Sequence, residues 1–125
     1  MKLTSTHVGI IITSLVTAVL HVLAAFDTQL FPAGPDPLFL LNGVGYVGLL
    51  GAYILPIPFF QDRHKLVRWV LIGYAILTIV AWLVIWVGFS VIRDHIPFFA
   101  HDSLYGVPAK IAEVILLALL WRDTE

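Results

Sequence analysis

The chain predicts an all-α integral membrane protein, four transmembrane helices in an antiparallel bundle with both termini cytoplasmic, and three observations predict it. Charged residues make up 12% of the 125 residues and hydrophobic ones 60%, whereas soluble domains carry about 25% charged residues. The mean hydropathy is +0.97. The apolar residues also fall into uncharged runs of about 18 or more, the length that crosses ~30 Å of hydrocarbon at 1.5 Å per residue. Because these Ile, Leu and Val runs are continuous rather than alternating, they fit helices and not the strands of a barrel.

The first span covers about residues 7–26, uncharged from Val8 to Phe26. Met1-Lys2 ahead of a run ending in Val22-Leu23-Ala24-Ala25 also has the pattern of a signal peptide. The run is longer than an ordinary signal core, so it is read as a retained helix. The second span, about 38–60, carries Gly43, Gly45, Gly48, Gly51 and Ala52, small residues that let a neighbouring helix approach. A third, about 67–92, has no charge from Trp69 to Ile92 and at ~36 Å is long enough to tilt. The fourth, about 103–122, is the least apolar, because it includes Pro108, Lys110 and Glu113. Starting at Ser103 it encloses Pro108; starting near Val107 it has Pro108 in its first turn, and is short. The longer form is preferred.

Positive residues set orientation. Lys2, Arg63, Lys65, Arg68 and Arg122 fall on one side, Arg93 and Lys110 on the other, which places both termini and the loop Gln61–Lys65 in the cytoplasm. Of the outer connections, 27–37 holds Pro32, Gly34, Pro35 and Pro37 and reads as a turn region. The other contains Ile96-Pro97-Phe98-Phe99-Ala100, apolar enough to lie on headgroups or a partner protein. The two halves resemble one another in outline, but no residue-level repeat supports a duplicated hairpin.

Three helices carry a weakly polar stripe at helical spacing: Thr13, Thr17 and His21; Asn42, Tyr46 and Tyr53; Tyr74, Thr78 and Trp82. Pointing all three inward gives a partly polar interior. By helical rise, His21 and Asn42 lie roughly 6 to 8 Å below the outer surface, Lys110 about 9 Å and Glu113 about 13 Å. Lys110 and Glu113, three apart on one face, can pair. His21 then donates to Glu113 or accepts from Lys110. The candidate ligand- or proton-binding residues are therefore Glu113, Lys110, His21 and Asn42, with Thr17, Tyr46 and Tyr74 supporting them.

Several uses of this set are open. The plainest is helix registry, with Lys110 reaching toward the headgroups. A proton- or ion-linked carrier site would use the buried carboxylate beside a histidine. Pigment or haem binding through His21 is a further possibility, with His7 fourteen residues away able to serve a second plane. On the outer surface His95, His101 and Asp102 are candidate metal ligands.

The absence of cysteine removes disulfide, thiolate and iron–sulfur chemistry, and a net charge of −1 offers nothing to nucleic acid. No hydrolase, P-loop or zinc-protease motif supports an enzyme. The cofactor, if any, is unspecified. The expected role is a small membrane protein acting by binding, as a subunit or accessory of a larger assembly. Its partners are the lipid bilayer and other membrane subunits or further copies of itself.

Overall fold

The computed structural model describes residues 3–27, 33–84 and 103–123, with backbone only at 103–105. Every element among them is helical: α1 (Ser5–Ala25), α2 (Pro37–Ile54), α3 (Pro58–Gln61), α4 (His64–Ala81) and α5 (Ser103–Arg122). Three helices, Ser5–Ala25, Pro37–Ile54 and His64–Val84, are long and apolar enough to cross a membrane.

Local chemistry explains where the helices start and stop. The Thr4 hydroxyl accepts from His7 N at 3.3 Å while His7 Nδ1 accepts from Thr4 N at 3.1 Å. This is a reciprocal cap that satisfies two backbone donors at the start of α1. Asp36 caps α2 by accepting from Phe39 N at 3.1 Å, with Pro37 at the first helical position.

The second helix stops at Ile54 instead of running to Phe60. Pro56 excludes α geometry from the residue before it, and Leu55 is extended, with φ −70° and ψ 144°. Pro58 then opens the one-turn α3. The next helix begins at His64, ahead of the expected 67, and widens into a π turn over Trp82–Val84. Its expected continuation to 92 lies outside the described residues. The last helix takes the longer form, from Ser103 with Pro108 inside it.

The four long helices form a ring. Helix α1 packs extensively on α2 and α5, and α4 more lightly on the same two, so that α2 and α5 face each other across the interior. Ile10, Ala18, Leu50, Leu71, Ala75, Leu116 and Leu120 fill it together with Tyr46 and Tyr53. At Gly43 a Cβ would stand 2.8 Å from the Ala18 carbonyl oxygen and 2.8 Å from Val22 Cγ2, so only glycine permits the α1–α2 spacing. Gly45 makes the same kind of room for the Tyr74 hydroxyl, whereas Gly48 meets nothing.

The outside is as apolar as the inside. Ile12, Val19, Leu41, Leu77 and Ile111 are each more than half exposed. A surface of that kind suits lipid rather than water.

Candidate functional site

Glu113 is fully buried and draws donors from three helices. Its Oε1 accepts from Lys110 Nζ at 2.7 Å and from Thr17 Oγ1 at 3.2 Å; its Oε2 accepts from Tyr46 OH at 2.9 Å. On α5 the inward face is Ala109, Lys110, Ala112, Glu113, Leu116 and Leu120, all buried. The two alanines let α1 come close enough for Thr17 to reach the carboxylate. Tyr46 reaches it from α2, across the interior. Burying a carboxylate in so apolar a bundle requires such a shell, because an unpaired charge there costs several kcal/mol.

Lys110 is itself buried, at 8% exposure, and so does not reach toward the headgroups. Its ammonium lies 5.9 Å from the Trp82 ring centre, a cation–π contact from α4. The ion pair is thus closed on both sides.

His21 does not touch Glu113 directly. Its Nδ1 donates to the Thr17 carbonyl at 2.7 Å and lies 3.3 Å from the Thr17 hydroxyl, so Thr17 links the imidazole to the carboxylate. A proton on Nδ1 leaves the neutral ring with its lone pair on Nε2. The ring packs edge-on to Phe39, with centres 5.9 Å apart, and 6.0 Å from the centre of Tyr46. That spare nitrogen is the atom of His21 able to hold a metal or a cofactor.

Asn42 belongs to the α2–α4 seam and not to the carboxylate. Its side-chain oxygen accepts from Thr78 Oγ1 at 3.5 Å and its carbonyl from Tyr74 OH at 2.8 Å. Tyr74 in turn stands edge-on to Tyr46 at 4.8 Å, which buttresses the phenol that holds Glu113. Among the described residues no three His, Asp or Glu side chains converge as metal ligands. The candidate set His95, His101 and Asp102 lies outside those residues.

A second buried polar group occupies the opposite end of the bundle. Asp123 Oδ2 is bonded by Tyr53 OH and lies 3.2 Å from His7 Nε2; all three residues are at most 5% exposed. Since His7 Nδ1 accepts the Thr4 N–H, Nε2 carries the proton and donates to Asp123. His64 stacks on Tyr53 at 4.4 Å, and Arg68 Nε donates to the Leu120 carbonyl at 2.7 Å. Sequence reasoning missed this group because Asp123 follows the last apolar residue and reads as solvated. The available signal was spacing: His7, Ser14 and His21 recur every seven residues on α1, as do Tyr46 and Tyr53 on α2.

One family matches the chain, described as a family of unknown function (DUF7475), over residues 1–121. The chain belongs to DUF7475. No curated protein matches this DUF7475 member, and no solved structure does. Its chemistry must therefore be read from its own residues.

Proposed function

We propose that this DUF7475 protein is a multi-pass protein of the cell membrane, with four spans and cytoplasmic termini, whose Glu113 centre binds and releases a proton in a carrier-like or ion-linked role. Support for the fourth span comes from α5, whose 20 residues extend ~30 Å and whose outward side chains Ile111, Val114 and Ile115 are exposed. Arg63, Arg68 and Arg122 support the orientation by gathering at one end of the bundle.

The observation that carries the proton reading is the kind of group around Glu113. Thr17 and Tyr46 meet it with hydroxyls, which donate to a carboxylate and, after rotating, accept from a carboxylic acid. Thr17 has an alternative acceptor for its own proton in the carbonyl one turn earlier. Both protonation states of Glu113 can thus be hydrogen-bonded by these hydroxyls without moving a helix; Lys110 stabilises the ionised one, and its ammonium keeps the Trp82 ring when the carboxyl is neutral. A shell made only of guanidinium forks would hold a single state.

The test is a pH-difference infrared spectrum of the protein in lipid bilayers. Protonation of Glu113 gives a carboxylic C=O band that is missing in Glu113→Gln. Identical difference spectra for the two proteins would defeat the reading.

A second reading, a subunit of a larger membrane assembly or of a homo-oligomer, is favoured by α4. This helix packs lightly on its neighbours while Leu66, Val70, Leu77 and Val80 lie exposed on it. Light scattering of detergent-solubilised protein checks it: a strictly monomeric particle from native membranes, with no co-purifying chain, would end it.

A further inference from the structure

The Ser14 hydroxyl is buried, at 1% exposure, and has no hydrogen-bond partner among the described residues. A serine inside a helix ordinarily returns its proton to the carbonyl one turn earlier, as neighbouring Thr13 does to Gly9 O at 2.8 Å. An unmade bond at a buried hydroxyl is costly, and in a polar niche a bound water commonly makes it. Ser14 also has a particular place. It lies on the buried face of α1 midway between His7 and His21, which belong to the two polar groups at opposite ends of the bundle. From His7 to His21 this column extends ~21 Å, most of the length of α1.

We infer that Ser14 holds a buried water, and that through it the Glu113 centre exchanges protons with a second proton-binding station formed by Asp123, His7 and Tyr53. This inference rests on the reading of Glu113 as a protonatable site. The groups facing the first station are Thr17 and His21 of α1, Tyr46 of α2 and Lys110 of α5, with Trp82 of α4 behind the ammonium. Those facing the second are His7 of α1, Tyr53 of α2, and His64 and Arg68 of α4.

The axial step from Ser14 to Thr17 is about 4.5 Å, which one water bridges, while that from Ser14 to His7 is about 10 Å. Ile10 lies in the longer step and is fully buried, in the same apolar core as Leu116 and Leu120. Ile10 is therefore the narrow point, where a short file of waters must form before a proton passes. Each transfer breaks one O–H bond and forms another: a proton leaves the carboxylic acid of one station for water, water passes its own proton onward, and the carboxylate of the other station receives it. Nothing is oxidised or reduced.

Protein reconstituted in vesicles loaded with a pH-sensitive dye tests this when an external pH step is applied. The expected internal pH response is slowed about tenfold by Ser14→Ala, the loss of one hydrogen bond to the relayed water, and abolished by Ser14→Val, which fills the niche. Ile10→Ala widens the narrow point and is expected to speed the response, and Ser14→Val or Asp123→Asn introduced into that variant to stop it again. Opposite effects from two neighbouring substitutions are not what misfolding produces. A response indifferent to Ser14 and Asp123, or no response from the unaltered protein, would overturn the path. If the infrared band of Glu113 still follows pH in that case, the path alone has failed; if the band is missing, the reading of Glu113 has failed with it.

Discussion

Lys110 Nζ stands 2.7 Å from Glu113 Oε1, one turn apart on the same helix, with both side chains withdrawn from the surface of the bundle. Removing either partner leaves the other charge buried alone. Lys110→Met is expected to destabilise the folded bundle by ~3–5 kcal/mol, measured as a shift in denaturation in mixed micelles. The double variant with Glu113→Gln should recover most of that loss, because no buried charge remains. Additive effects in such a cycle would show that the two groups are not coupled.

Tyr46→Phe deletes the donor on Oε2, and Thr17→Val one of the two on Oε1. Hydrogen bonds to a charged group contribute ~1.5–3 kcal/mol. Each variant is expected to lose stability on that scale while Glu113 is ionised, and less when the same unfolding is followed in the Glu113→Gln background.

Gly43→Ala places a methyl against the Ala18 carbonyl, and a backbone atom cannot rotate away. Overpacking of this kind costs ~1–3 kcal/mol. The same change at Gly48, where no neighbouring atom among the described residues lies within 4 Å of an added Cβ, is expected to be neutral to stabilising, by up to ~1 kcal/mol. Melting curves of the two variants separate a close helix approach from a general dislike of losing glycine.

At the other end of the bundle, Thr4→Ala removes the cap of α1 and should cost ~0.5–2 kcal/mol. Because the cap also holds the His7 tautomer that donates to Asp123, the His7 ring resonances should shift with it. Unchanged ring resonances in Thr4→Ala would mean that the cap and the Asp123 group are independent.

The apolar runs and the Lys110–Glu113 pair were legible in the chain, since each depends on neighbours within a few residues, whereas the span expected to reach Phe60 passed over the break that Pro56 makes after Ile54. Contacts set by the packing of separate helices were not legible. Asn42 and His21 lie at similar expected depths, yet His21 is linked through Thr17 to Glu113 while Asn42 turns toward α4, because depth along a helix says nothing about rotation around it. The stripe expected through Thr13 passes instead through Ser14, since Thr13 satisfies itself on the Gly9 carbonyl. Tyr53 and Asp123 meet across the interior although they stand 70 positions apart in the chain, a separation no local pattern encodes. The seven-residue recurrences of His7, Ser14 and His21 and of Tyr46 and Tyr53 were the visible traces of that second group.

Glutamate occurs only at positions 113 and 125, which makes the central claim directly measurable. Protein labelled with ¹³C at the glutamate side-chain carboxyl, in lipid bilayers, gives two carboxyl resonances, of which Glu113→Gln removes one. The expected result is that this resonance moves reversibly between its carboxylate and carboxylic-acid positions as pH is cycled, with the bundle still folded. A Glu113 resonance that stays at the carboxylate position until the protein unfolds would contradict the account, and would leave Glu113 as a fixed ion-pair partner of Lys110.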